Sequence, residues 1–206
     1  MQKVTTAELS KGIALYGGAF DPVHCAHLTI AELALQSGLV EEVVFIPAAQ
    51  SPLKRHGPIA SDRERLSMLE LATANTPKLR VDDYELNKGG MSYSVQTAQH
   101  FRERYPQARL FWVVGADQFE QLDRWRSIEE LCQLVEFLVF ARPGSSLERP
   151  EMGERLRYQV LDAPLMPQSS TEIRHRLTAG ESLEEWLPEA VEAFISQHGV
   201  YKQPLF

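Results

Sequence analysis

The amino-acid sequence predicts an α/β fold built on a mostly parallel, doubly wound sheet. Two observations lead to this prediction. Short apolar runs alternate with amphipathic segments along most of the 206 residues, as expected for repeated strand–helix units. The later runs "ARLFWVVG" and "VEFLVFA" are apolar at successive positions, which is typical of strands covered by helices on both faces.

Turn and capping residues delimit the elements in the first half of the chain. "GIALYGG" predicts a buried strand that ends in glycines, and "LTIAELALQSG" predicts a helix stopped by a glycine. "VEEVVFIPAA" predicts a second strand, and "SDRERLSMLELATAN" a helix that starts at a Ser-Asp pair. "KLRVDDYEL" predicts a third strand, and "SYSVQTAQHFRERYP" a helix closed by Pro106.

The second half continues the alternation and then becomes helical. "ARLFWVVGAD" predicts a fourth strand, "VEFLVFARPG" a fifth and "YQVLDAP" a sixth at the sheet edge. The segment "RPGSSLERPEMG" predicts an exposed loop, and "SSTEIRHRLTAGESLEEWLPEAVEAFISQHG" predicts helices. Together these elements indicate an open, Rossmann-like sheet with C-terminal helices.

Composition narrows the classes of partner. A net charge of −7 opposes attraction of the whole surface to nucleic acid or to an anionic membrane. No apolar run approaches the ~18 residues of a membrane span, and the start of the chain lacks an apolar signal core. Its two cysteines, Cys25 and Cys132, have no metal or redox spacing. We therefore expect a cytoplasmic protein without nucleic-acid or membrane partners, and leave a homo-oligomer open.

The segment "GGAFDPVHCAH" follows the first predicted strand and is the first candidate site. Ligands of open α/β sheets bind beyond the carboxyl ends of the strands, near the point where strand order reverses. Gly17 and Gly18 would permit close approach of a ligand and a positive φ. The next helix offers free N–H groups and about half a positive charge to an anion. His24 and His27 would add two donors there.

Other glycine and histidine motifs fit this segment less well. A dinucleotide fingerprint requires G-x-G-x-x-G, and a Walker A loop requires Gly-Lys-Ser/Thr; both are absent. Zinc would need a fourth ligand besides His24, Cys25 and His27. A glycine turn with a core histidine is the structural alternative. Two histidines flanking one loop favour a function.

A second candidate site is "SSTEIRHRL". Ser169, Ser170 or Thr171 would cap a helix by ordinary preference. The same hydroxyl and N–H groups would suit a phosphate chain, with Arg174 one turn further along as a forked donor. Lys54, on the loop after the second strand, would also reach phosphates, unless it belongs to a solvated charge cluster.

The segment "VVGADQFEQLDRW" follows the fourth strand. Gly115 and Asp117 would then lie at the ligand edge of the sheet, where a small residue and a carboxylate suit a ribose. A helix cap is the alternative for Asp117. Trp125 would be either a core residue or a stacking surface.

Together these segments resemble the nucleotidyltransferase superfamily marked by the H-x-G-H motif, here "HCAH". More narrowly, "GGAFDPVHCAH", "SYSVQT", "GADQFEQLDRW" and "SSTEIR" resemble the bacterial nicotinate-nucleotide adenylyltransferases. The resemblance runs from about Ile13 to Tyr201, and the order and spacing of the motifs carry it. It implies one nucleotidyltransferase domain over residues 1–206, with a polar tail at 1–11 and a helical part at 165–206.

The resemblance also implies a reaction and its residues. ATP and nicotinate mononucleotide would give deamido-NAD and pyrophosphate by direct in-line attack, with Mg²⁺ accompanying ATP and no metal-ligating protein residue. The implied catalytic residues are His24, His27 and Arg174. The implied ATP-binding residues are Gly17, Gly18, Phe20, His24, His27, Lys54, Gly115, Asp117, Ser170, Thr171 and Arg174. The implied nicotinate-nucleotide residues are Gly18, Tyr93, Ser94, Thr97 and Trp125.

Two departures from the family pattern stand out. Ala26 replaces the glycine between the histidines, and Leu53 stands where relatives often have a histidine before the basic residue. The second departure leaves the role of Lys54 open.

Three alternatives differ in acceptor or in class. Phosphopantetheine or a cytidylyl acceptor would suit the same superfamily, although "SYSVQT" and "DRW" match the nicotinate-binding side. Nicotinamide mononucleotide stays open as an acceptor, because it shares phosphate, ribose and ring with the nicotinate nucleotide. A class I aminoacyl-tRNA synthetase would need a Lys-Met-Ser-Lys-Ser loop, which is absent. A non-catalytic nucleotide sensor would bind ATP without releasing pyrophosphate.

Overall fold

Six strands form one parallel sheet in the order β3-β2-β1-β4-β5-β6. The computed structural model describes residues 12–52, 56–141, 147–148 and 155–201. Its strands are β1 Gly12–Gly18, β2 Val40–Pro47, β3 Leu79–Val81, β4 Leu110–Gly115, β5 Glu136–Ala141 and β6 Tyr158–Asp162. The predicted α/β class and the six strands are confirmed, with β6 at the sheet edge.

Helices flank the sheet and follow in the chain. They are α1 Cys25–Gln36, α2 Asp62–Thr73, α3 Tyr84–Lys88, α4 Ser94–Arg104, α5 Ala116–Phe119, α6 Ile128–Leu134, α7 Ser170–Ala179 and α8 Glu189–His198, with a 3₁₀ turn at Leu122–Arg124. The Ser-Asp start of α2 is confirmed as a capping box, in which Ser61 and Glu64 each bond the other's backbone N–H. The helical C-terminal quarter is also confirmed.

The third predicted strand is too long. Asp82 makes a last bond to the sheet through its N–H and the carbonyl of Phe45, at 2.9 Å. Its carboxylate then accepts the N–H of Tyr84 at 3.0 Å, which starts a helical turn. The predicted loop "RPGSSLERPEMG" and the polar tail lie largely or wholly outside the described residues.

The core has two apolar clusters, one on each face of the sheet. Successive strand residues enter opposite clusters: Ala14 and Phe45 pack on one face, and Leu15 and Val44 pack on the other. This alternation explains why the strands read as continuous apolar runs. The first cluster is covered by α1, α2, α7 and α8, and the second by α4 and α6.

The chain order reverses between β1 and β4, which lie side by side. From β1 the chain proceeds outward through β2 to β3, and from β4 outward through β5 to β6. The loops that follow β1 and β4 therefore diverge and leave a crevice at the carboxyl ends of these strands.

Candidate functional site

Two adjoining cavities occupy the crevice at the ends of β1 and β4. The first, which we call the Trp125 cavity, has a volume of about 290 Å³, and Gly18, Glu85, Tyr93, Trp112, Trp125 and Arg126 are among its lining residues. The second, the Gly115 cavity, has about 530 Å³ and includes Tyr16, Ala26, Gly115, Asp117, Phe140 and Met166 in its lining. Gln118 lines both.

The segment from Tyr16 to His27, which runs from the end of β1 into α1, borders both cavities. Gly17, Gly18 and Ala19 line the Trp125 cavity, whereas Tyr16 and Ala26 line the Gly115 cavity. The two histidines of "HCAH" lie within this segment. Neither histidine is itself among the lining residues of the two cavities.

The glycines of this segment serve packing. The expected positive φ at Gly17 and Gly18 is wrong, since neither has one. A Cβ on Gly17 would lie 3.1 Å from the ring of Trp112, and one on Gly18 would lie 3.0 Å from the ring of Phe20. Both glycines let an aromatic ring approach the backbone, and they leave the cavity wall flat.

Phe20 takes the positive φ instead, at 46°. Its ring is 2% exposed and is among the lining of neither cavity. The ring centroid lies 5.0 Å from that of His27 and 5.5 Å from that of Tyr16, in edge contacts. Phe20 therefore supports His27 from behind.

His24 and His27 form a stacked pair at the start of α1, with ring centroids 3.7 Å apart. His24 is the N-cap residue and has an extended backbone. Its N–H donates to Nδ1 of His27 at 3.2 Å. Because Nδ1 accepts, a neutral His27 carries its ring proton on Nε2. This ring nitrogen can donate a hydrogen bond to an oxyanion.

Burial keeps His24 neutral. The side chain is 5% exposed, and desolvation lowers its pKa from 6.5 to about 4. Its Nδ1 is buried and has no hydrogen-bond partner among the described residues. His24 is therefore a neutral hydrogen-bonding group near pH 7, beside the positive end of the α1 dipole.

The start of α7 contacts this loop directly. The side chain of Ser169 caps the helix by accepting the N–H of Glu172 at 3.2 Å. The hydroxyl of Ser170 donates to the carbonyl of Pro22 at 3.0 Å. The two motifs, far apart in sequence, are therefore joined in the fold.

Arg174 strengthens the same junction. Its guanidinium donates to the carbonyl of Asp21 at 2.6 Å and lies 3.6 Å from the Asp21 carboxylate. A longer bond of 3.5 Å reaches the hydroxyl of Thr171, which is otherwise exposed. The Nε of Arg174 is buried without a partner among the described residues.

Asp21 is the centre of this junction. It is 5% exposed and accepts the N–H groups of Ile59 and Ala60 at 2.8 and 3.0 Å. The hydroxyl of Tyr201 donates to it at 2.8 Å. Asp21 thus connects the first loop, the segment before α2, α7 and the end of the described chain.

Arg65 is a supporting residue that sequence reasoning missed. It is fully buried, donates to the carbonyl of Ala19 at 2.7 Å and pairs with Asp62. The signal was present in the pattern of α2, where this arginine shares the buried face with Met68 and Leu69.

The predicted nicotinate residues meet at the Trp125 cavity, with one exception. Tyr93, Ser94 and Trp125 line it, and the Trp125 ring stands perpendicular to Trp112 at 6.4 Å. Thr97 is 1% exposed and is not among the lining residues. Its hydroxyl donates instead to Glu85.

Gly115 and Asp117 line the Gly115 cavity, and both are exposed. Gly115 ends β4 and is the N-cap of α5. Lys54 lies outside the described residues. The predicted site residues that line the two cavities are Gly17, Gly18, Tyr93, Ser94, Gly115, Asp117 and Trp125. Those with a described position outside the cavity linings are Phe20, His24, His27, Thr97, Ser170, Thr171 and Arg174.

Two features are absent from the described ranges. They hold no group of three or more His, Cys, Asp or Glu side chains suited to a metal ion. None of their helices is long and apolar enough to cross a membrane.

Comparison with known proteins gives concordant matches. The family model described as Cytidylyltransferase-like matches residues 15–176. A protein of Rhodopirellula baltica named "Probable nicotinate-nucleotide adenylyltransferase" is 36% identical over 207 residues, covering 96% of this chain and 97% of that protein. One of the same name from Thermus thermophilus is 38% identical over 190 residues, covering 92% and 99%.

A solved structure shows the same fold. The nicotinic acid mononucleotide adenylyltransferase of Plasmodium falciparum, complexed with NaAD, superposes with a TM-score of 0.76 over 93% of this chain and 97% of that one. At 19% sequence identity, this match concerns the fold alone.

Proposed function

The chain belongs to the nicotinate-nucleotide adenylyltransferase family within the cytidylyltransferase-like group, and we propose that it transfers the adenylyl group of ATP to nicotinate mononucleotide. The products are deamido-NAD and pyrophosphate, as part of NAD biosynthesis. One observation carries the proposal: a stacked histidine pair at a helix start lies in a segment that borders two adjoining cavities. Such a site suits a reaction that joins two molecules.

The two cavities suit the two substrates. The Trp125 cavity has aromatic walls from Tyr93, Trp112 and Trp125, which suit a pyridine ring. The Gly115 cavity presents the exposed carboxylate of Asp117 at the end of β4, which suits the hydroxyl groups of the adenosine ribose. The mononucleotide phosphate and the α-phosphate of ATP then meet beside α1.

This reaction requires no general base. The phosphate nucleophile is already mostly ionised at neutral pH, because its second pKa is ~6, and pyrophosphate leaves without a proton donor. Positioning and charge stabilisation must supply the rate. We assign stabilisation of the transition state at the α-phosphate to His24 and His27, through their ring N–H donors.

Arg174, Ser170 and Thr171 suit the triphosphate tail. Two of them now bond to carbonyl groups of the Asp21–Pro22 pair, which holds them beside the histidine loop. An arriving phosphate would compete for the same donors, and the unpartnered Nε of Arg174 would be available to it. Gly17 and Gly18 would let the backbone approach the phosphates closely.

Magnesium enters with ATP in this proposal. The ion would be held mainly by phosphate oxygens, as Mg²⁺ commonly is. Bound there, it would neutralise part of the phosphate charge. We further propose a single catalytic domain over residues 1–206 and a cytoplasmic location, where the substrates occur.

Pyrophosphate release tests the proposal. The purified protein is incubated with ATP and magnesium, with nicotinate mononucleotide, with phosphopantetheine, or without acceptor. We expect release only with the nicotinate nucleotide. Release with phosphopantetheine alone would assign a different acceptor, and ATP binding without release under any condition would indicate a nucleotide sensor.

Two substitutions test the histidines. His24→Ala and His27→Ala should each reduce turnover by ~10²–10³-fold, as does loss of one preorganised donor in other enzymes. Circular dichroism would confirm that each variant is folded. Near-normal turnover in either folded variant would remove that histidine from the mechanism.

A further inference from the structure

The Trp125 cavity contains an arginine without an ion-pair partner. Among the described residues, the charged ones in its lining are Glu85, Arg124 and Arg126. The guanidinium of Arg124 donates to Gln121 at 3.2 Å. In the described part of the chain, no carboxylate pairs with Arg126, which is exposed. The guanidinium of Arg126 therefore has N–H groups left for a ligand.

An aromatic ring fixes the position of Arg126. Its guanidinium carbon lies 4.5 Å from the centre of the Tyr93 ring, at a distance typical of cation–π contact. Stacking orients the planar group while leaving its N–H edge unused. Tyr93 is itself the N-cap of α4, so a regular helix holds this wall of the cavity.

The negative group of the cavity is directed elsewhere. Glu85 is 5% exposed and accepts the hydroxyl proton of Thr97. Ser92 also bonds to it, and burial raises the pKa of Glu85. Ser92 in turn accepts the N–H of Ala49 at 3.0 Å. Glu85 thus serves an internal polar network and does not cancel the charge of Arg126.

We propose that Arg126 binds the carboxylate of the nicotinate ring and so makes the enzyme prefer the acid over the amide. This inference rests on the proposed function. The cavity end formed by Gly17–Ala19 leads along the chain to the histidines, where the phosphate reacts. The aromatic walls receive the ring, and Arg126 covers one of these walls. A carboxylate on the ring would meet the N–H edge of Arg126 in a bidentate pair, whereas an amide would bring its own N–H donors to the same edge.

The test compares kcat/KM for nicotinate and nicotinamide mononucleotide in the wild type and in Arg126→Gln. We expect the preference for the acid to fall by about 10- to 100-fold, which corresponds to the loss of one hydrogen bond to a charged group. The loss should appear in KM for the acid, with little change for the amide. Arg126→Lys, which keeps the charge but loses the fork, should restore only part of the preference.

Two matched variants serve as controls. Arg63→Gln removes a charge from the exposed face of α2 and should leave the preference unchanged. Arg124→Gln tests the neighbouring arginine and should change it less than Arg126→Gln does. A preference that survives in Arg126→Gln, or one lost only in Arg124→Gln, would overturn the inference. A wild type that releases pyrophosphate without favouring the acid would also overturn it while sparing the proposed function, and a wild type inactive with both nucleotides would count against the function itself.

Discussion

Asp21→Asn should destabilise the fold by several kcal/mol. The two carboxylate oxygens of Asp21 accept separate groups: one takes the N–H of Ile59, and the other takes the N–H of Ala60 and the hydroxyl of Tyr201. An asparagine amide has one acceptor oxygen. Whichever way it turns, a backbone N–H, the partly buried one of Ile59 or the buried one of Ala60, loses its acceptor and faces an NH₂ group.

The magnitude follows from these contacts. A buried unsatisfied donor costs about 1–3 kcal/mol. Breaking a buried ion pair costs about 3–5 kcal/mol, but Arg174 lies 3.6 Å from the carboxylate and keeps its 2.6 Å bond to the Asp21 carbonyl. We therefore expect a combined loss of roughly 3–5 kcal/mol, or about 6–20 °C in Tm for a chain of this size.

Urea unfolding followed by circular dichroism measures this loss. Tyr201→Phe removes one hydrogen bond to the same carboxylate and should cost about 1 kcal/mol. Asp123→Asn changes an exposed aspartate and should stay within about 0.5 kcal/mol of the wild type. If Asp21→Asn unfolds within 1 kcal/mol of the wild type, the junction is not the stabilising contact that its geometry indicates.

Three further predictions concern the loop and its supports. The pKa of His24 is about 4 in the fold and about 6.5 when unfolded, so the folded state disfavours the proton. The contribution of His24 to the free energy of unfolding is therefore fully present above pH 6.5 and falls, by at most about 3 kcal/mol, as the pH drops towards 4. His24→Gln should remove this part of the pH dependence of urea unfolding. An unchanged pH dependence in this variant would contradict the prediction. Gly18→Ala should cost roughly 1–3 kcal/mol, measured as a lower Tm, because its Cβ would lie 3.0 Å from the Phe20 ring; an unchanged Tm would show that the ring moves freely. Arg65→Met should lower kcat about tenfold with little effect on KM, since the Ala19 carbonyl loses its buried donor. Arg65→Lys should recover part of the lost kcat. A change in KM alone would assign Arg65 to substrate binding.

The sequence predicted the sheet because local rules and packing agree along it. Continuous apolar strands, a capping box at Ser61 and glycine stops all point to one architecture. The exception is the end of β3, where the Asp82 side chain bonds the N–H of Tyr84 and turns the chain into a helix. A polar side chain that competes for backbone groups is not visible in an apolar pattern.

The site was predictable only as far as its motifs are local. "HCAH" and "SSTEIR" can be recognised in the sequence by residue type and spacing. Their junction cannot, because the contact between Asp21 and Arg174 joins residues 153 positions apart. Phe20 has a positive φ, whereas the sequence predicted a positive φ at the nearby Gly17 and Gly18. Arg126 was not predicted, because the sequence does not show that this exposed arginine lines a cavity.

The electrostatics of this site are therefore local in origin. A chain with a net charge of −7 has little general attraction for ATP or a mononucleotide, and burial keeps His24 uncharged near neutral pH. The attractive groups are instead the N–H groups at the start of α1, the histidine ring donors and two guanidinium groups. A backbone carbonyl holds the guanidinium of Arg174, and an aromatic ring holds that of Arg126. Each acts over a few ångströms, so each selects a particular anionic oxygen by position. An acidic surface and an anion-binding site are compatible in one molecule for this reason.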